Sequence, residues 1–109
     1  FIGGAHDRLM ELAKSETDPK LRRQAIHHLG TMGRSPQAAD ALVAMYGSES
    51  DPKMKREILN ALFHQQNAAR IIEIARKETD PQLKRDAVQK LSHMKSKEAT
   101  DFLIELLNK

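Results

Sequence analysis

Glu16-Thr17-Asp18-Pro19 is the first of three copies of one four-residue pattern, which returns as Glu49-Ser50-Asp51-Pro52 and Glu78-Thr79-Asp80-Pro81. Each copy contains an Asp followed directly by a Pro. The Asp side chain can accept hydrogen bonds from the free amides of a first helical turn, and a Pro in that turn has no amide to leave unpaired. The pattern therefore predicts that one helix ends and another begins at each copy, with Asp18, Asp51 and Asp80 as helix caps.

The spacing of the copies predicts a repeat array. Asp18 and Asp51 are 33 residues apart and Asp51 and Asp80 are 29 apart, so the mean unit has 31 residues. A shift by both spacings, 62 residues, aligns the stretch 8–14 with the stretch 70–76 and Phe1 with Phe63. Self-similarity with a period of roughly 20 to 50 residues is typical of stacked supersecondary units.

We divide the chain into units 1–36, 37–66, 67–97 and 98–109, and in each complete unit a first helix precedes the pattern and a second helix follows it. Phe1-Ile2 is interpreted as the end of a helix, and Gly30 and Gly33 are expected to loosen the end of a second helix. Because the last apolar helix simply stops, we expect a single domain that is a piece of a longer array. The residues at helical spacing that we expect to form the core are Leu9, Leu12, Ala13, Leu21, Ala25, Ile26, Leu29, Met32, Ala38, Ala41, Leu42, Met45, Met54, Ile58, Leu59, Leu62, Phe63, Ile71, Ile72, Ile74, Ala75, Leu83, Ala87, Val88, Leu91, Met94, Ala99, Phe102, Leu103, Leu106 and Leu107.

Composition excludes several classes of protein. The chain has 109 residues, of which 39% are hydrophobic and 30% charged, a balance suited to one globular or repeat domain. It has no cysteine, which excludes disulfides, thiolate metal sites and a cysteine nucleophile. It also lacks an apolar run long enough for a spanning helix. The compartment stays open, because the chain begins without a Met and a targeting segment can lie outside it.

Two second helices carry a family signature. The stretches 18–29 and 80–91 share the pattern Asp-Pro-x-Leu-Arg/Lys-Arg-x-Ala-Ile/Val-x-x-Leu. This pattern resembles the HEAT repeat, and the period near 31 residues resembles the short HEAT-like repeats named after phycobilisome lyases and found in many bacterial proteins. The resemblance covers nearly the whole chain. It implies an all-α fold, a right-handed α-solenoid of the ARM/HEAT-like kind with about seven antiparallel-paired helices in three and a half repeats.

The same resemblance implies a non-catalytic scaffold that binds a protein or peptide, with no cofactor and no metal. An alternative is an accessory module of a larger lyase-type enzyme, which would handle a tetrapyrrole or another substrate partly through the array. A third reading is a weak binder of anions or nucleic acid. The fold decides none of these functions, because repeat scaffolds serve many. The partner's identity, the oligomeric state and the activity of the parent protein stay open.

Basic residues recur at two adjacent positions of every second helix, first as Arg22, Lys55 and Lys84 and then as Arg23, Arg56 and Arg85. Cations in a first helical turn oppose the helix dipole, so something should offset them. One interpretation is a structural ladder, because the resemblance to HEAT repeats implies that Asp and Arg side chains here bond within and between units. The other is a basic stripe for an acidic peptide, a phosphorylated partner or a nucleic-acid backbone. Nucleic acid is disfavoured, since the chain has no Trp, one Tyr and three Phe to stack on bases.

The candidate binding residues lie at three positions of the second helices, spaced four residues apart on one face. The histidines among them are expected to be solvated or to line a groove, because a metal would need more ligands converging on one ion. No nucleophile elbow, phosphate loop or dinucleotide motif occurs. Glu16, Glu49 and Glu78 are expected to be solvated turn residues. The predicted partner-binding residues are Arg23, His27, Arg56, Asn60, His64, Arg85, Gln89 and His93.

Overall fold

The computed structural model describes residues 18–31 and 36–108. Helices dominate these two stretches, and no strand occurs in them. The predicted first helix over residues 5–14 and the predictions for Phe1-Ile2, Glu16, Met32 and Gly33 lie outside the described residues. The described residues form six helices, α1 (Pro19–Thr31), α2 (Pro36–Ser48), α3 (Pro52–His64), α4 (Ala68–Lys77), α5 (Pro81–Ser92) and α6 (Lys97–Leu107).

The starts of these helices follow from local side chains. Asp51 accepts a hydrogen bond from the Lys53 amide at 2.9 Å. Asp80 accepts one from the Gln82 amide at 2.9 Å, and the Asp18 side chain binds the amide two residues further on in the same way. A Pro opens each of these helices and α2 as well. Where no Asp-Pro pair is present, other polar residues cap the helix, as Asn67 does for α4 and Ser96 for α6.

We expect Asp51→Ala to lower the free energy of unfolding by about 0.5 to 2 kcal/mol, because one amide of the first turn of α3 loses its acceptor. Asp51→Asn is the matched control, since Asn caps helices about as well as Asp. Urea unfolding followed by circular dichroism measures both. Equal stability of the wild-type and Ala proteins would show that Asp51 does not define the helix start.

The helices form two layers, joined by short turns. Second helices α1, α3 and α5 make one layer, in which α1 packs on α3 and α3 on α5. First helices α2, α4 and α6 make the other, and each neighbouring pair in chain order also packs together. The array measures 46 × 28 × 17 Å. This is the stacked, two-layer arrangement of an α-solenoid, and it confirms the all-α repeat fold. The proposed unit boundaries remain a prediction.

A continuous apolar core runs between the two layers. Most of the predicted core residues in the described stretches are buried, but Leu21 is 48% exposed although Met54 and Leu83, at the same position of later helices, are buried. Leu21 was therefore wrongly expected in the core. Leu107, at the end of α6, is 84% exposed and was also wrongly expected in the core. Gln65 is a polar member of the core, and its Nε2 donates to the Leu29 carbonyl at 3.0 Å.

Gly30 was expected to loosen the end of its helix, and that prediction was wrong because Gly30 packs in the core. It is buried within α1, which continues to Thr31. A Cβ at position 30 would lie 2.8 Å from the Cα of Ala61 in α3, closer than nonbonded carbon atoms approach. The absence of a side chain at Gly30 therefore allows the backbones of two second helices to come together.

Candidate partner-binding surface

The second-helix surface, defined here as the eight predicted partner-binding residues, faces away from the core. Seven of the eight are exposed, and Arg56 is half-buried. Four-residue spacing places the members from each helix above one another, and the packing of α1, α3 and α5 sets the three rows side by side. The structure thus brings the predicted residues to one face, and the prediction that they bind a partner remains open.

The arginines of this surface differ in what they bind. Arg56 Nε donates to Asp86 at 2.9 Å, and its Nη2 donates to Gln82 at 3.3 Å, so the guanidinium links α3 to α5. Arg23 and Arg85 are exposed and make no ion pair or hydrogen bond with the part of the chain that is described. The basic column is therefore partly a structural ladder and partly available for binding.

The neighbouring basic column is structural in the first two units. Arg22 donates to Glu49, whose side chain is only 6% exposed, and the pair joins α1 to the turn before α3. Lys55 Nζ lies 5.0 Å from the centre of the Tyr46 ring, where the π face attracts a cation. The resemblance implied bonds between Arg and Asp in the pattern itself. The ion-pair partners of Arg22 and Arg56 are instead Glu49 and Asp86.

Glu49 and Glu78 are not solvated turn residues, and that expectation was wrong for both. Glu49 accepts hydrogen bonds from the amides of Ser50 and Asp51. Glu78 binds the amides of the next two residues at 3.0 and 2.9 Å in the same way, and its other oxygen accepts from the Tyr46 hydroxyl. Each carboxylate therefore satisfies the turn backbone and holds a side chain from an earlier helix. At positions 49 and 78 the Glu of the pattern is a structural residue.

The surroundings of the Tyr46–Glu78 pair shift the pKa values of both groups, in opposite directions. Burial, together with the hydrogen bond to the Glu78 carboxylate, raises the pKa of the Tyr46 hydroxyl. Burial alone would raise the pKa of Glu78 too, but the hydrogen bonds from Tyr46 and the turn amides and the charge of Lys55 outweigh it and lower that pKa below its ordinary value. The carboxylate is thus held ionised in the folded protein.

We expect Glu78→Gln to reduce the sensitivity of the fold to acid. A carboxyl with a lower pKa when folded than when unfolded stabilises the fold above its unfolded value of about 4.3, and this contribution is lost as the pH falls through the folded pKa. Urea unfolding between pH 3 and pH 7 should therefore show a shallower loss of stability for the Gln variant. Glu98→Gln, at an exposed residue of α6, is the control. Parallel profiles for wild type and Glu78→Gln would contradict the role given to this carboxylate.

Three histidines, His27, His28 and His64, form a cluster where α1 packs against α3. The ring centres of His27 and His64 lie 6.4 Å apart in an edge-to-face arrangement across α1 and α3, and His28 lies 6.2 Å from His27. All three rings are exposed. His93 is exposed on α5, and within the described residues no ring contact joins it to this cluster. Within residues 18–31 and 36–108, no group of three metal-ligating side chains comes close enough to hold an ion.

Charge is distributed unequally between the two layers. Helices α1, α3 and α5 with their capping residues carry nine lysines and arginines against five carboxylates, whereas α2, α4 and α6 carry four against five. A positive potential over one face attracts acidic partners and speeds their association. Among the described helices, the positive charge is therefore concentrated on the layer that bears the second-helix surface.

The fold defines an α-solenoid, and comparison with known proteins gives its family. A family model described as HEAT repeats matches residues 4–62, more than half of the chain. The chain belongs to the HEAT-repeat family. Comparisons with curated proteins and with solved structures gave no match. None of the described helices is both long and apolar enough to cross a bilayer.

Proposed function

We propose that this protein is a non-catalytic scaffold that binds an acidic segment of a protein partner on the second-helix surface. HEAT repeats commonly serve as protein-interaction scaffolds. The observation that carries the proposal is the pair of exposed guanidinium groups of Arg23 and Arg85 on the basic layer, neither of which has a partner among the described residues. An Arg without a partner can donate two parallel hydrogen bonds to a carboxylate or phosphate.

The polar residues between these arginines suit an extended peptide. Asn60 and Gln89 offer side-chain amides that can donate and accept, and both are exposed. They occupy the same position on α3 and α5 that His27 occupies on α1. A peptide that crosses the three second helices would therefore meet a row of hydrogen-bonding groups flanked by cations. Such a row gives orientation and specificity, while the charges give attraction over a longer range.

The finer family assignment is a further part of the proposal. The unit length near 31 residues supports kinship with the short HEAT-like repeats of the phycobilisome-lyase type. That kinship would make the chain an accessory module of a larger enzyme, in which the array presents or positions a substrate. The second-helix surface would serve in that case as well, because positioning by an accessory array is itself a binding function.

The test is capture of the partner from a lysate of the source organism, with an Arg23→Gln/Arg85→Gln variant beside the wild-type chain. Both residues are exposed and make no ion pair within residues 18–31 and 36–108, so the variant should keep its unfolding midpoint. Lys95→Gln/Lys97→Gln is the matched control, because it removes the same charge from exposed residues outside the second-helix surface. We expect the arginine variant to capture at least about tenfold less of the partner than the wild-type chain does. Equal capture by all three proteins would contradict the proposed surface.

A further inference from the structure

A small pocket lies on the second-helix layer between α1 and α3. It has a volume of about 240 Å³. Its lining residues in the described part of the chain are Arg23, Gln24, His27, His28 and Glu57. The His64 ring of α3 lies next to this lining, with its centre 6.4 Å from that of His27 in an edge-to-face arrangement. One guanidinium and two imidazoles therefore line a space with room for a group of a few heavy atoms, and a third imidazole stands beside it.

The donors of this pocket have no described acceptor. Arg23 makes no ion pair there, in contrast to Arg22 and Arg56, which are committed to Glu49 and Asp86. The hydrogen bonds among the described residues give the imidazoles of His27 and His28 no acceptor either. An imidazole that gains a proton offers two N–H donors, and a guanidinium offers five in a planar fork. The pocket thus collects donors that a ligand rich in acceptor oxygens would satisfy.

We propose that Arg23, His27, His28 and His64 bind a phosphoryl group carried by a phosphoserine or phosphothreonine of the partner segment. The inference rests on the proposed function, and it assigns the anionic group that α1 and α3 receive. A phosphoryl group has three acceptor oxygens and a negative charge close to two, so it can accept hydrogen bonds from several donors at once. A carboxylate has two oxygens and one charge, and it would leave part of this donor set unsatisfied.

The pattern of free and paired arginines favours one phosphoryl group over a nucleic-acid backbone. A backbone needs a continuous row of available cations, because each successive phosphate gains from its own counterion. The row from Arg23 to Arg85 is interrupted in the middle, since Arg56 binds Asp86 and Gln82. A metal ion is disfavoured by the same pocket, because the Arg23 guanidinium would repel it.

Glu57 is the acidic residue of the pocket lining. Its carboxylate stands beside the donors and repels a second negative charge at short range. Glu57→Gln should therefore strengthen phosphoryl binding, whereas changes at Arg23 and His27 should weaken it. A general response to surface charge gives the same two signs, so the specific site is identified by comparing Arg23→Gln with the loss of a distant cation.

The experiment uses the whole chain at pH 7.0, with N-acetyl-O-phosphoserine methylamide as the probe and the corresponding aspartate and serine derivatives as matched probes. Binding is read from NMR shifts of the imidazole C–H groups. We expect the phosphoserine probe to bind about tenfold more tightly than the aspartate probe, Arg23→Gln to weaken it about tenfold, and Glu57→Gln to strengthen it severalfold. His27→Asn should weaken it as well.

Lys97→Gln is the control variant, because Lys97 is an exposed cation at the start of first helix α6 and lies outside the second-helix surface. It should change the affinity by less than about twofold. Equal losses from Arg23→Gln and Lys97→Gln, or equal binding of the phosphoserine and aspartate probes, would overturn the phosphoryl site.

A phosphatase arm separates this inference from the proposed function. The lysate used for capture is treated with phosphatase before the chain is added. We expect the captured partner to be lost after treatment. Capture that resists phosphatase but still depends on Arg23 and Arg85 would overturn the phosphoryl inference and leave the scaffold function standing. Capture that ignores both arginines would instead contradict the function itself.

Discussion

Gly30→Ala is expected to lower the free energy of unfolding by about 1 to 3 kcal/mol, although Ala favours helix more than Gly. The new Cβ would lie 2.8 Å from the Cα and Cβ of Ala61 and 3.2 Å from its carbonyl oxygen. Two of these atoms belong to the α3 backbone, which cannot rotate away as a long side chain can. Helices α1 and α3 would have to separate, and the core packed between them would loosen.

Gly47→Ala supplies the matched control for Gly30. Gly47 also lies within a helix, but a Cβ built on it meets nothing within 4 Å. The substitution there should stabilise the protein by up to about 1 kcal/mol, because only the helix preference changes. Thermal and urea unfolding of both variants measure the difference. If Gly30→Ala stabilised the protein as much as Gly47→Ala, the close approach of the two second helices would be contradicted.

Glu49→Ala is expected to lower the free energy of unfolding by about 2 to 4 kcal/mol. The nearly buried carboxylate is the partner of Arg22, and it also accepts hydrogen bonds from the amides of Ser50 and Asp51. Its removal leaves a partly buried guanidinium without its counter-charge and two turn amides without an acceptor. The expected cost is below that of a fully buried pair, because Arg22 is 24% exposed and water can reach it.

Two further variants separate the parts of this effect. Glu49→Gln keeps one acceptor oxygen but removes the charge, so it should cost less than Ala. Glu73→Ala removes a carboxylate that meets Arg70 in a half-buried i, i+3 pair on α4, and it should cost no more than about 1 kcal/mol because Arg70 also pairs with Asp40. Chemical unfolding at pH 7 measures all three proteins. Equal losses of stability from Glu49→Ala and Glu73→Ala would contradict the structural role of Glu49.

The sequence predicted the helix order and most of the core because both depend on local signals. An Asp before a Pro defines a helix start by its own hydrogen bonds, and the repetition of the pattern makes each start independent evidence for the others. The apolar positions repeat at helical spacing, so Leu29, Leu62 and Leu91 could be placed in the core without coordinates. The eight residues of the second-helix surface share a face for the same reason.

The features that the sequence did not predict depend on contacts between units. Glu49 and Glu78 look like polar turn residues, and only the packing of Arg22 and Tyr46 against them makes them structural. Gly30 resembles a helix breaker until Ala61 lies against it. Gln65 offered one usable signal, since it occupies the position that Met94 occupies in the next unit, and a polar residue in an apolar column marks a buried hydrogen bond.

The division of the basic columns into paired and unpaired arginines also needed coordinates. Arg23 and Arg56 are equivalent in the repeat, yet Arg56 has Asp86 across the interface with the next second helix, whereas the corresponding residue opposite Arg23 is Glu57. The partner of an Arg therefore depends on side-chain geometry that a repeat pattern does not contain. This division decides which cations are available to a ligand.

The central claim is that a partner lies against the second-helix surface. The most direct test places a photoreactive side chain at the position of Asn60, an exposed residue in the middle of that surface, and a second one at the position of Ala44, exposed on first helix α2. Irradiation in a lysate of the source organism, followed by mass spectrometry, identifies what each position touches. We expect a specific adduct from position 60 and none from position 44. An adduct only from position 44 would place the partner on the first helices and contradict the account.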